Sequence, residues 1–485
     1  MVSDVADRER DNWSRWALAL AAKGAYWVLR VPMLRDLFVS KLFGRLKTVL
    51  DVNEDDREKY RDMTWITARL DTFIDRLFRE RPAASRAILR FLAAYAHDVY
   101  GRTAAERADR PSPVTVVIEP TDRCNLSCPG CYAKSTRDGS DLSYEQAEMI
   151  VRQIKEIGVS LITISGGEPF LREKSEQMLT RLARRFSDRG FLVYTNGTMI
   201  DEQIADRLAE VGNIFPAISV EGFEHQTDER RGSGIYEASR RVRKLLAERG
   251  VMVGFSATIT RENVESICSD EFIELRIAEG DMFGFFFLIN PIGRAPRTDL
   301  MVTAEQRSML RDAIYRWRGE RRPILLGDFW NDGPAVGGCI AGARYYFHIY
   351  ANGDISPCVF SPVACDNIFD VIEGRSRYKS LSEVIEKHPM FVAFRATQKN
   401  IKDRARPCML IDHPHIFRKM CRTLGYQPAK NMPPGYLDGE IASAIDERAA
   451  EWAQFVATRL PPLPSQLDAA PPTPARQAAA AKAYV

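Results

Sequence analysis

Three cysteines carry the clearest chemistry in this chain. Cys124, Cys128 and Cys131 form a C-x3-C-x2-C triplet within TVVIEPTDRCNLSCPGCYA, residues 115–133. Thiolates so spaced can hold three irons of a cubane [4Fe–4S] cluster and leave the fourth iron without a protein ligand. A structural zinc site would close instead with a fourth Cys or His, and none follows within roughly thirty residues. The open iron is the functional point.

The triplet needs an element to present it. Val114–Ile118 is short, β-branched and bounded by prolines, so it reads as a buried strand that empties into the cysteine loop. Apolar strands recur at Leu161–Ser165, Phe191–Thr195, Ala217–Val220, Val251–Thr258 and Phe283–Ile289. Helical patterns separate them, at Ser143–Ile157, Glu173–Ser187, Glu202–Val211 and Tyr236–Arg249. That alternation implies βαβ units and a parallel sheet. Polar motifs follow the strands. Ser165-Gly166-Gly167-Glu168-Pro169 comes after the second, Thr195-Asn196-Gly197-Thr198 after the third and Ser219-Val220-Glu221-Gly222 after the fourth, with Arg230-Arg231-Gly232 downstream. Taken alone, the Gly-Gly-Glu-Pro and Asn-Gly stretches read equally well as turns.

Order and spacing together resemble the radical SAM superfamily. The resemblance implies an α/β fold, an incomplete (β/α)6 barrel, with its chemistry at one rim. It implies a core [4Fe–4S] cluster on Cys124, Cys128 and Cys131, with S-adenosylmethionine on the open iron. It also implies reductive cleavage to a 5′-deoxyadenosyl radical that takes hydrogen from a substrate C–H bond. Gly166, Gly167, Glu168 and Pro169 would hold the cofactor's amino group, Asn196, Ser219 and Glu221 would line it, and Arg231 would meet its carboxylate. The residue before the third cysteine is often aromatic in this family; here it is Gly130, and Tyr132 is the candidate adenine contact. A reduced flavodoxin or ferredoxin would supply the electron.

Past Gly293 the character changes. Cys339, Gly353 and Cys358 have the spacing that opens a SPASM domain, around an Asn352-Gly353 hairpin signal. The dense cysteine block of a full SPASM domain is missing, which resembles the shortened twitch version with one auxiliary [4Fe–4S] cluster. Cys339, Cys358 and Cys408 are the expected ligands, Cys365 the leading fourth and Cys421 behind it. Zinc on the same thiolates, or ordinary buried cysteines, are the competing readings. Asp328 and Asp332 fall near the expected rim and could exchange a proton after hydrogen abstraction, or could simply be turn residues.

Composition bounds the rest. The 485 residues exceed one core and suit two or three domains; 45% are apolar, and the net charge of +3 gives no argument for nucleic acid. Nine cysteines, with no apolar signal segment at the acidic N-terminus, point to thiols in a reducing cytoplasm. Residues 1–110 read as helical, 111–300 as the core, 301–460 as the auxiliary-cluster domain and 461–485, rich in Pro and Ala, as a disordered tail. Asn12–Leu50 is basic and tryptophan-rich. It reads either as a helical cap on the catalytic domain or as a peripheral contact with the inner face of the membrane. The second reading favours a lipid or other hydrophobic chain as substrate; SPASM-bearing relatives point instead to a peptide or protein side chain. A non-enzymatic electron carrier or zinc scaffold is the remaining alternative.

Overall fold

The computed structural model describes residues 61–100, 111 and 113–462. Asn12–Leu50 and all of the tail beyond residue 462 lie outside them. Seven parallel strands follow in chain order: β1 (Thr115–Ile118), β2 (Leu161–Ile164), β3 (Gly190–Thr195), β4 (Ile214–Ser219), β5 (Gly254–Ile259), β6 (Phe283–Leu288) and β7 (Leu325–Asp328). The first six match the expected series. The seventh adds one strand to the parallel sheet, because Leu325–Asp328 pairs with Phe283–Phe286 despite its two polar-side positions, Gly327 and Asp328.

The sheet does not stop at β1. β8 (His348–Ile349) pairs parallel with β1, and β9 (Asp354–Ser356) turns back antiparallel at Asn352-Gly353, where Gly353 has φ +89°. β11 (Asp366–Asn367) edges the sheet, giving the order β11-β9-β8-β1-β2-β3-β4-β5-β6-β7. The expected hairpin is therefore a continuation of the barrel sheet. β10 (Val363–Ala364) pairs separately with β12 (Gln427–Pro428).

Strand alternation sorts the side chains. Val116, Ile118, Ile162, Ile164 and Val193 pack outward against Ile150, Ile154, Leu179 and Leu182 of the surrounding helices. The helix Tyr144–Ile157 starts on a Ser143 capping box and ends at left-handed Gly158. The single helix expected over Glu173–Ser187 is two, Phe170–Glu176 and Met178–Arg185, broken where Gln177 takes φ +57°. Leu192, Phe215, Ala217 and Phe283 face the other way and pack on Phe73 and Leu77 of the helix Asp71–Glu80 and on Ala84 and Ala87 of the helix Pro82–Tyr100. Arg76 fastens this plug, donating to the carbonyls of Asp281 at 2.9 Å and Ile277 at 3.0 Å. N-terminal helices thus close the barrel at its base, leaving the strand C-termini as the open rim. Among the described residues no helix is long and apolar enough to cross a membrane.

Candidate radical site and second cysteine cluster

The cysteine loop leaves β1 and is tied down from several sides. Thr121 Oγ1 donates to Asp141 at 2.5 Å, Arg123 pairs with the same carboxylate at 2.6 Å, and Cys124 N–H donates to Thr136 O at 2.8 Å. Cys124, Cys128 and Cys131 are free and partly exposed, and each of the other two thiols acts electrostatically on Cys124. Burial pushes the Cys124 thiol up to about 12. Arg294 N–H, just past β6, donates to Cys131 O at 2.9 Å, closing the loop from the far wall.

The glycine pair after β2 is required by this loop. Gly167 N–H donates to Thr121 O and Glu168 N–H to Arg123 O, both at 2.8 Å. A Cβ on Gly167 would lie 2.0 Å from Arg123 O, and one on Gly166, which has φ +100°, 2.7 Å from Thr121 O. The close approach is backbone against the cysteine loop, a reason that the sequence alone did not reveal.

Glu168 is buried and accepts three hydrogen bonds: from Phe170 N–H at 3.1 Å, Thr195 Oγ1–H at 2.6 Å and Asn196 N–H at 2.8 Å. Burial outweighs these donors and raises its carboxyl above the usual range. Pro169 follows and starts the helix Phe170–Glu176. Asn196 in turn donates to Asn125 Oδ1 at 2.9 Å, so the motif after β3 is bonded to the cysteine loop itself. Ser219, which ends β4, lies with its hydroxyl 3.5 Å from that of Ser256.

Glu221 collects two guanidinium groups, Arg230 at 2.7 Å and Arg231 at 2.5 Å, yet its buried Oε2 has no protein partner. Burial works against the charge on Arg231; the Glu221 carboxylate, together with Cys128 and Cys131, more than offsets it. Arg231 therefore stands beside the cysteine triplet. Tyr132 is half-buried; its hydroxyl contacts Ser165, and its ring meets Phe360 edge-on at 5.7 Å.

Asp328 and Asp332 are both engaged. Arg318 holds Asp332 through two bonds of 2.7 Å. Asp328 accepts from Trp330 N–H and Asn331 N–H, each at 3.1 Å, and from the Asn331 amide at 2.7 Å. Burial and the neighbouring Asp332 raise the Asp328 carboxyl to about 6. This arrangement shapes the turn after β7. It continues through Arg307, which bonds Asn331 at 3.0 Å and Asp412 at 2.5 Å, to the Cys408 N–H that donates to Asp412 at 2.9 Å.

Cys339, Cys358 and Cys408 come together, each coupled electrostatically to the other two, and burial pushes Cys339 and Cys358 up to about 12. Tyr346 Oη lies 2.8 Å from Cys358 Sγ. Cys365 lies elsewhere: its thiol neighbour is Cys421. Among the described residues no three His, Cys, Asp or Glu side chains converge at single-ion distance. The thiols in both triplets are free; the first three share the single loop after β1, and the second three come from segments before β8, after β9 and after the helix Pro389–Asn400. That fits two cluster sites of three cysteines each.

One group escaped sequence reasoning. Glu119, directly after β1, is fully buried and pairs with His348 Nε2 at 3.1 Å and Lys430 Nζ at 2.6 Å, and Lys430 also contacts Asp122. Burial pushes Glu119 up, but Lys430 and His348 override it and hold it at about 2. A carboxylate ending a buried strand was the available signal; nothing in sequence joins it to Lys430, 311 positions away.

Comparisons with known proteins agree with this geometry. The chain is 35% identical over 157 residues to the Fe-coproporphyrin III synthase of Methanosarcina barkeri, covering 31% of this chain and 38% of that protein. It is 26% identical to the sporulation killing factor maturation protein SkfB of Bacillus subtilis, covering 53% of this chain and 63% of that one. With the mycofactocin maturase MftC of Mycobacterium tuberculosis the figures are 31% identity, 52% and 65%. The chain thus spans less than two thirds of these relatives' lengths. The crystal structure of Streptococcus suis SuiB bound to precursor peptide SuiA shares the fold, with a TM-score of 0.50 and 19% identity over 64% of this chain and 71% of that one. The profile of the Radical SAM superfamily matches residues 118–269. That region carries the cysteine triplet and the motifs after β2, β3 and β4, and it is what this chain shares with the superfamily.

Proposed function

We propose that this chain is a radical SAM enzyme acting on a side chain of a peptide or protein. The observation that carries the reading is the convergence of the motifs after β1, β2, β3 and β4 on the Cys124–Cys128–Cys131 loop. When bound, the cluster and S-adenosylmethionine supply a 5′-deoxyadenosyl radical able to break a C–H bond. The protein's own groups arrange the site. Cys124, Cys128 and Cys131 hold the cluster, Arg231 presents a cation beside Cys128 and Cys131, and the unpartnered Glu221 Oε2 can accept from a cofactor hydroxyl or ammonium. Glu168 orients the rim by joining the turns after β2 and β3.

We further propose residues 301–460 as the auxiliary-cluster domain, with Cys339, Cys358 and Cys408 as its ligands, and a low-potential flavodoxin or ferredoxin as electron donor. Maturases among the relatives favour a peptide over the lipid first expected, since the lipid reading rests only on Asn12–Leu50. The test is substrate stimulation of 5′-deoxyadenosine formation by the reconstituted chain. A pool of synthetic peptides should raise the rate and phosphatidylglycerol vesicles should not. Stimulation by the vesicles alone would restore the lipid reading.

A further inference from the structure

The inner wall of the barrel carries more aromatic surface than its own packing uses. Phe285 and Phe287 on β6 and Tyr194 on β3 point inward by strand parity; Tyr194 and Phe285 border the layer that packs on the N-terminal plug, and Phe287 lies beyond it. All three are half-buried, and Phe329, just past β7, is 36% exposed. Partial exposure inside a curved parallel sheet means space beside the rings. Their contacts form one continuous wall. Tyr194 meets Phe287 at 5.6 Å and 81°, Phe287 meets Phe329 at 4.6 Å and Phe360 at 6.2 Å, and Phe360 reaches Tyr132.

The wall runs between the two cysteine clusters. Tyr132 is the residue after Cys131, and Phe360 N–H donates to Cys358 Sγ at 3.4 Å. Among the other inward positions, Ser219 on β4 and Ser256 and Thr258 on β5 are small and uncharged, Gly327 on β7 makes room for the Phe285 ring, and the Glu119 carboxylate past β1 is already paired with Lys430. At the rim Asn290 is buried with neither amide atom partnered, a state that calls for a ligand or water.

We infer that the substrate residue entering the barrel is aromatic, and that its ring packs against Phe287, Phe329 and Tyr194. This rests on the peptide reading above. Inward rings meeting at steep angles offer both faces and edges to an incoming ring, and each such pair adds attraction beyond its buried area. An aliphatic side chain would gain area alone, and a charged one would lose its hydration against the rings.

The test uses the full chain with its clusters reconstituted and S-adenosylmethionine present. Blocked Gly-Ala-X-Ala-Gly peptides, with X as Trp, Tyr or Leu, are compared by saturation-transfer NMR and by 5′-deoxyadenosine yield. Trp or Tyr should bind about tenfold tighter than Leu, and Phe329→Leu, which keeps an apolar side chain but removes the ring, should erase that preference while leaving iron content unchanged. Equal binding of all three peptides, or a preference that survives both Phe329→Leu and Phe287→Leu, overturns the inference. So does tight binding of ferric coproporphyrin III with all three peptides silent. Deoxyadenosine formed without aromatic preference defeats this inference alone, whereas no deoxyadenosine under any condition defeats the enzyme reading beneath it.

Discussion

Lys430 Nζ donates to Glu119 Oε2 at 2.6 Å, so the segment after β12 closes directly over the end of the first barrel strand. Glu119 is fully buried, and removing its cation would strand a carboxylate with His348 and the Asp122 carboxyl beside it. Lys430→Met should therefore destabilise the chain by about 3–5 kcal/mol near neutral pH. The sign with pH follows from a carboxyl held at about 2, below its ordinary 4.5. The pair's stabilisation is present above the ordinary value and is lost as pH falls toward 2. Thermal unfolding of variant and wild type should differ most at pH 6–7 and converge in acid; a constant gap would contradict the assignment.

Asp328 should act in the opposite sense. Its carboxyl is raised to about 6 from 3.8, so the stability tied to its protonated form is present below the ordinary value and lost as pH rises through 6. The loss amounts to about 3 kcal/mol. Asp328→Asn should flatten the pH dependence of unfolding between pH 4 and 7 and leave 5′-deoxyadenosine formation largely intact. A severe loss of turnover in a folded Asp328→Asn protein would return this residue to the catalytic role expected from sequence.

The second cluster separates its cysteines cleanly. Cys408→Ala should lower iron content by about four atoms per chain. Cys365→Ala should leave it unchanged, since Cys365 neighbours Cys421 and not the triplet. Iron lost in Cys365→Ala would place that thiol on the cluster.

Gly167→Ala probes the joint between the glycine motif and the cysteine loop. A Cβ 2.0 Å from Arg123 O cannot be accommodated without moving backbone that leads into Cys124. Core iron should fall together with thermal stability, while iron in the second cluster remains. An unchanged variant would mean that the two loops are not held together in solution.

Much of this was legible in sequence. The six strands and the order of the motifs follow from short apolar runs and the turn residues that end them, and the cysteine spacings picked out both groups of thiols. Three things were hidden, each for a physical reason. β7 is short and half polar, so Gly327 and Asp328 masked its period. The pairing of β8 with β1 joins positions more than two hundred residues apart, and no local pattern records it. That Glu168 also ties the turns after β2 and β3 together, through Thr195, Asn196 and Phe170, is visible only in the fold. The same holds for Asp332, whose partner Arg318 lies on the preceding helix.

The central claim is a radical site on Cys124, Cys128 and Cys131. It is tested most directly by anaerobic reconstitution, iron and sulfide counting, and assay of 5′-deoxyadenosine from S-adenosylmethionine with dithionite, beside the triple alanine variant of those cysteines. The account predicts about eight irons and deoxyadenosine for the wild type, and about four irons and none for the variant. A fully loaded wild type that forms no deoxyadenosine would contradict it.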